Sequence, residues 1–171
     1  MLDDVRWGIL GTANIGRAVL KGIGLCKHSS IQAVASREHT RAKECAMEYG
    51  IPHAFGSYQE LIDSHEVDVI YNPLPNSMHA EWTIKAIEAG IPVLCEKPFT
   101  VNAYEAREVT AVAKRRNVLV AEAFMYRFHP IYDKVMEVIE AGEIGDVLMI
   151  RSCFAFRIKD DPTNIRLSAP L

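Results

Sequence analysis

Short apolar runs alternating with helix-like segments constrain this chain more than any other feature. Val5–Leu10 (VRWGIL), Ile31–Ser36 (IQAVAS), Ala54–Phe55, Val67–Tyr71 (VDVIY), Val93–Cys95 (VLC) and Val118–Ala121 (VLVA) read as six strands. Their apolar residues are mostly consecutive, as expected where helices cover both faces of a parallel sheet. Helical patterns fill the gaps. One covers roughly Ile15 to Gly22 and another Thr40 to Tyr49. A third opens with Ser57 and Glu60 in capping-box spacing and runs to about Ser64. Asn76 or Ser77 can cap the next, which continues to about Ala89 and ends at Gly90. The last begins at Thr100 or Asn102 and reaches about Arg116. This order predicts an α/β fold with a doubly wound parallel sheet.

The first strand runs straight into Gly11-Thr12-Ala13-Asn14-Ile15-Gly16 and then a helix. That is a GxGxxG fingerprint with Ala13 in the second glycine position. The first glycine allows a tight turn, and the last allows close packing of helix on strand. The helix amino terminus offers unpaired N–H groups and the positive end of its dipole to a pyrophosphate. Gly11, Thr12, Ala13, Asn14, Ile15 and Gly16 are therefore candidate cofactor-binding residues. Glycine-rich strand–helix turns also occur for packing alone, and the position after an amino-terminal strand is the context that favours the dinucleotide.

Ser36 and Arg37 stand at the tip of the second strand, about 20 residues on, where an acidic residue would hold the ribose 2′-hydroxyl of NAD. Arg37 can instead make a bidentate contact to a 2′-phosphate. NADP is the expected cofactor, with NAD as the alternative. The fourth strand exits into Asn72-Pro73-Leu74-Pro75-Asn76, a stiff loop that would lie over the cofactor crevice. Pro73, Leu74, Asn76 and His79 are further candidates, the last two as donors to ribose or phosphate oxygens.

Pro92 to Phe99 (PVLCEKPF) carries the chemistry. A buried strand ends abruptly in Glu96-Lys97-Pro98, and ligands of open α/β sheets bind just beyond the carboxyl ends of strands. Lys97 is the candidate catalytic residue. Burial and a bound cofactor's positive ring would lower its proton affinity, so that it could exchange a proton with a substrate hydroxyl. Glu96 would orient that amine or contact the nicotinamide ribose.

Beyond Ala121 the rhythm breaks. Glu122 to Pro130 (EAFMYRFHP) is too aromatic for an ordinary polar loop and suits a domain junction or a site wall. Ile131 to Ala141 reads as a helix with Ile131, Val135, Val138 and Ile139 on one face. Asp146 to Phe156 (DVLMIRSCFAF) reads as a long strand, the first of a second sheet. An unpaired edge of that length is a hazard, so it implies pairing with another subunit or a longer polypeptide.

Bulk properties exclude several classes. The chain has 171 residues, is 49% hydrophobic and carries a formal charge of -3. A mildly acidic balance argues against nucleic acid as a partner. No run is long enough to span a bilayer, and no signal-peptide pattern opens the chain. The four cysteines form no CxxC pair. They are expected to be reduced, placing the protein in the cytoplasm. No metal site is expected.

With GILGTANIG, NPLPNSMHAEWTIKAIEAG, VLCEKP and AEAFMYRFHP in this order, the chain resembles the Gfo/Idh/MocA oxidoreductase family over essentially its whole length. It is most similar to the branch of NADP-dependent xylose dehydrogenases, dihydrodiol dehydrogenases and glucose–fructose oxidoreductase. The resemblance implies an NAD(P)-binding Rossmann domain over 1–124. Residues 125–171 would then begin a substrate and dimerisation domain with an open sheet, left incomplete. It implies hydride transfer between nicotinamide and a hydroxyl-bearing carbon of a sugar, polyol or cyclic diol. Lys97 matches the family's lysine beside the reacting hydroxyl, and a cis Lys97–Pro98 bond is implied. Arg127 would reach the nicotinamide side, and Met125 and Phe154 would line the substrate wall. PTNIRLSAPL resembles the segment before a glycine-rich stretch whose Asp and Tyr or His complete the catalytic group. The full-length protein is expected to form homo-oligomers and to bind a small-molecule substrate. A non-catalytic dinucleotide-binding module, a sensor or scaffold, is the alternative.

Overall fold

The structure is a computed structural model that describes residues 4–12 and 16–157. Six strands form one parallel sheet in the order β3-β2-β1-β4-β5-β6. In chain order the elements are β1 (Val5–Leu10), α1 (Gly16–Leu25), β2 (Ser29–Ala35), α2 (His39–Tyr49) and β3 (His53–Phe55). They continue with α3 (Tyr58–Asp63), β4 (Val69–Asn72), α4 (His79–Glu88), β5 (Val93–Cys95), α5 (Ala103–Arg116) and β6 (Val120–Glu122). The strand order reverses between β1 and β4, with β2 and β3 on one side and β5 and β6 on the other. That reversal is the topological switch point, where open α/β sheets leave a crevice.

Alternating side chains along the strands build two cores. Ile9, Val34 and Tyr71 face α1 and α2, packing with Leu20, Ile23 and Ala46. Leu10, Ala35, Ile70 and Cys95 face α3, α4 and α5, packing with Leu61, Ile87 and Val109. The sheet is therefore covered on both sides, which is why its strands read as unbroken apolar runs. Gly8 lets α3 approach closely: a Cβ there would lie 2.9 Å from Leu61 Cδ2 and 3.1 Å from Val67 Cγ1.

Local signals explain most boundaries. Ser57 Oγ accepts from the Glu60 N–H at 3.1 Å, and Asn102 Oδ1 accepts from the Glu105 N–H at 2.9 Å. Both are the side-chain caps that the spacing called for. The expected cap of α4 is different. Neither Asn76 nor Ser77 caps that helix; Asn76–Met78 forms a 3-10 turn, held by the Met78 N–H donating to the Pro75 carbonyl at 2.8 Å. Main-chain bonds of the turn take the place of a side-chain cap. β6 begins later than expected because the Val118 N–H closes the end of α5 on the Ala113 carbonyl.

The chain divides into two compact units between Ala123 and Phe124. In the second, Met125–Phe128 forms a 3-10 turn and Pro130–Glu140 forms α6. His129 Nδ1 accepts from the Ile131 N–H at its start. The long strand expected over Asp146–Phe156 is not present: these residues form no ladder. The apolar pattern suits a strand, but a strand exists only by pairing, and the second unit offers no partner among the described residues. Leu148 and Phe154 are accordingly 94% and 91% exposed. The carboxyl-terminal PTNIRLSAPL lies outside the described residues.

The four cysteines, all described, form no disulfide. Among the described residues no helix is long and apolar enough to cross a membrane. Two buried acids set an alkaline limit on stability. Burial first, then the bond to Glu96, raises Tyr71 from its ordinary 10.0, and burial pushes the Cys95 thiol from 9.0 up to about 12. For both, the unfolded chain releases its proton first. Their contribution is complete below pH 9 and is lost progressively as pH rises, from 9 up to about 12 for Cys95 and from 10 upward for Tyr71. Denaturation midpoints measured from pH 8 to 11 should fall, by up to ~1.4 kcal/mol per pH unit for each group.

Candidate active site

β1 delivers the chain to Gly11, at φ +84, a conformation that side chains rarely adopt. Its N–H donates to the Ala35 carbonyl at 2.7 Å, tying the turn to the end of β2. A Cβ at Gly11 would lie 3.1 Å from Leu74 Cδ2 and 3.9 Å from Tyr58 Oη. Thr12 is exposed and α1 starts at Gly16, while Ala13, Asn14 and Ile15 lie outside the described residues.

Gly11, Thr12, Ser36, Arg37, Pro73 and Leu74 border one cavity of about 220 Å³ at the switch point. The strand-tip and loop candidates therefore converge on the fingerprint turn. Ser36 is buried; its Oγ accepts from the Glu38 N–H at 3.3 Å. Arg37 is exposed. Tyr58 and Arg41 also line this cavity and were not foreseen. Burial raises the Tyr58 hydroxyl's pKa, opposed by the nearby Arg37 guanidinium. Arg41 stands in the first turn of α2, and its Nε pairs with Glu38 Oε2 at 3.0 Å.

The second half of the site hangs on the end of β5. Glu96 is 5% exposed, and its N–H donates to the Asn72 carbonyl at 3.0 Å. Its Oε1 accepts from the Tyr71 hydroxyl at 2.9 Å and its Oε2 from the Lys97 N–H at 3.1 Å. Glu96 thus grips the main chain of Lys97. The Lys97–Pro98 bond is cis. The Phe99 N–H donates to Glu122 Oε1 at 2.8 Å, which secures the turn to β6. Lys97 itself is exposed rather than buried, so burial is not available to tune it as expected from sequence. Among the described residues its amine has no ion-pair partner.

His79 departs furthest from expectation. It is 1% exposed, with Nδ1 2.7 Å from the Pro98 carbonyl oxygen and Nε2 2.7 Å from the Leu74 carbonyl oxygen. Both ring nitrogens are engaged by main chain, which leaves none to meet ribose or phosphate. Asn76 remains partly exposed at the start of the 3-10 turn. Buried Asn72, also unforeseen, donates to the His79 carbonyl and to Thr83 Oγ1 while accepting from the Leu74 N–H. Met125, Arg127 and Phe154 belong to the second unit, where all three are exposed.

A profile of the Gfo/Idh/MocA oxidoreductase family, NAD-binding Rossmann fold, matches residues 5–124. The chain belongs to this family. Among family relatives, it is 42% identical over 168 residues to a D-xylose 1-dehydrogenase (NADP(+)) of Haloferax volcanii, covering 98% of this chain and 51% of the relative. It is 38% identical over 161 residues to the trans-1,2-dihydrobenzene-1,2-diol dehydrogenase of Mus musculus, covering 92% of this chain and 48% of the relative. The fold is similar to that of a 3-ketoreductase from Actinomadura kijaniata, solved in complex with TDP-benzene and NADP. There the TM-score is 0.78 at 35% identity, over 82% of this chain and 44% of the other. The chain spans about half the length of these relatives. The doubly wound parallel sheet expected from the strand–helix alternation, and the Rossmann fold implied by the resemblance, are thus the observed ones.

Proposed function

We propose that this chain carries the dinucleotide-binding half of an NADP-dependent oxidoreductase acting on a hydroxyl-bearing carbon of a sugar, polyol or cyclic diol. The observation that carries this reading is a convergence at the switch point. The glycine turn after β1, the Ser36–Arg37 pair after β2 and the Pro73-Leu74 loop after β4 border one cavity, and the Lys97 turn leaves the carboxyl end of β5, the strand beside β4. The residues fit a dinucleotide. Gly11 has no side chain where a Cβ would crowd Leu74, which leaves backbone free to approach a pyrophosphate.

Gly11, Thr12, Ala13, Asn14, Ile15 and Gly16 would hold the pyrophosphate at the amino terminus of α1. Ser36 and Arg37 would hold the 2′-phosphate, and the Pro73-Leu74 loop and Asn76 would cover the ribose. Bound NADP supplies a hydride acceptor at C4 of the nicotinamide. As the substrate carbon loses hydride and becomes a carbonyl carbon, the Lys97 amine takes the hydroxyl proton; in reduction it returns that proton. Glu96 holds the Lys97 main chain and so aims the amine. Residues 125–171 would begin the substrate and dimerisation domain, with Arg127 toward the nicotinamide and Met125 and Phe154 toward substrate. The whole protein would be a cytoplasmic homo-oligomer.

Incubating the protein isolated from its source with NADP and a panel of pentoses, hexoses and cyclic trans-diols tests the reaction. Formation of NADPH with at least one substrate is expected; none with any would refute it. Arg37→Ala should weaken NADPH binding by roughly 10- to 100-fold, the worth of losing one or two charge-assisted hydrogen bonds. NADH binding, measured beside it by calorimetry, should hardly change. Equal losses for both nucleotides would remove Arg37 from 2′-phosphate recognition.

A further inference from the structure

We propose that His79 is a positioning residue whose imidazole carries a proton on both nitrogens and clamps the Leu74 loop to the Lys97 turn. The geometry is specific. Its two ring nitrogens each lie 2.7 Å from a carbonyl oxygen, of Leu74 on one side and Pro98 on the other. A carbonyl oxygen can only accept, and a neutral imidazole has only one N–H. A neutral ring would hold one nitrogen lone pair against a carbonyl lone pair at hydrogen-bond distance. Two protons turn both contacts into charge-assisted hydrogen bonds, the strong kind.

The ring is 1% exposed, so water cannot stand in for either partner. Its charge is met by the carbonyl dipoles of Leu74 and Pro98, which outweigh the positive end of the α4 dipole. The charged groups on the adjoining turn and strand end are Glu96, Lys97 and Glu122.

The clamp joins the two halves of the site. Leu74 packs where a Gly11 side chain would stand, with 3.1 Å between Leu74 Cδ2 and that Cβ position. Asn72 fixes the Leu74 N–H from below and binds the His79 carbonyl at 3.3 Å. Pro98 directly follows Lys97. The contacts therefore run without a gap from the phosphate turn through Leu74 and His79 to the lysine turn. Binding of pyrophosphate at Gly11 and the aim of Lys97 are coupled through one imidazole.

Nitrogen-15 spectra of the labelled 171-residue chain at neutral pH test the protonation directly. The other five histidines are exposed, so a variant with all five changed to Gln leaves His79 as the sole imidazole signal and disturbs little packing. Both ring nitrogens should resonate as protonated nitrogens, with N–H protons slow to exchange. One nitrogen at an unprotonated position would overturn the clamp as described. This spectroscopic result does not depend on any activity.

The catalytic consequence rests on the oxidoreductase reading. In the protein from its source, His79→Gln should lower kcat by roughly tenfold or more, as expected for a misaimed group, at equal folded fraction. An unchanged kcat would overturn the positioning role. Absence of turnover in the unaltered protein would instead refute the oxidoreductase reading and leave the spectroscopic test standing.

Discussion

Lys97→Met, introduced into the protein as isolated from its source, is expected to lower kcat by ~10²–10⁴-fold, the usual worth of a positioned general acid–base. NADPH binding should remain within about twofold, because the residues proposed to hold the phosphates follow other strands. The amine's position rests on three fixed points. Cys95 ends a strand paired on both sides, by β4 and by β6. Glu96 Oε2 accepts from the Lys97 N–H, and Glu122 Oε1 accepts from the Phe99 N–H two residues later. The main chain around Lys97 is thus held whatever side chain it carries, and the variant should fold. Lys97→Arg separates charge from proton transfer, since a guanidinium keeps the charge but does not release a proton. It too should be inactive. Turnover retained in either variant would remove Lys97 from the proton step.

Tyr71→Phe should cost about 3 kcal/mol in chemical denaturation, because a buried carboxylate loses a hydroxyl donor. Tyr71 is 0% exposed and Glu96 5%, and the bond between them is 2.9 Å. With the donor gone, Glu96 Oε1 faces an apolar ring and water has little access. A double variant, Tyr71→Phe with Glu96→Gln, should recover part of the loss, since a neutral amide is cheaper to leave short of a partner than a carboxylate. Non-additivity between the two changes measures their coupling. Tyr71→Phe should also remove the tyrosine's share of the alkaline fall in stability. Unchanged stability in the single variant would mean that Glu96 finds another donor, and the grip on Lys97 would need another explanation.

Much of the fold was legible because a doubly wound sheet writes itself as apolar runs separated by capped helices. β5 appeared with its observed limits, since Val93-Leu94-Cys95 is bounded by proline and by charge. Ser57 and Asn102 announced their helices because capping is a local interaction. What stayed hidden depended on contacts between distant residues. Tyr71 and Glu96 are 25 positions apart, and only the β4–β5 pairing brings them together. His79, offered as a donor to the cofactor, is instead buried between the Leu74 and Pro98 carbonyls, which lie 5 and 19 positions away. Asp146–Phe156 erred the other way, because a long apolar run gives a strand's propensity without giving it a partner. At the site, Gly11, Ser36, Arg37 and Leu74 meet around one cavity as their positions on strand ends required. Tyr58 and Arg41 join them from helices whose orientation no spacing rule revealed.

Calorimetric titration of the 171-residue chain with NADPH and with NADH tests the central claim most directly. NADPH should bind at least roughly tenfold more tightly than NADH, reflecting a 2′-phosphate held by Ser36 and Arg37. Binding of neither nucleotide, or equal affinity for both, would contradict it.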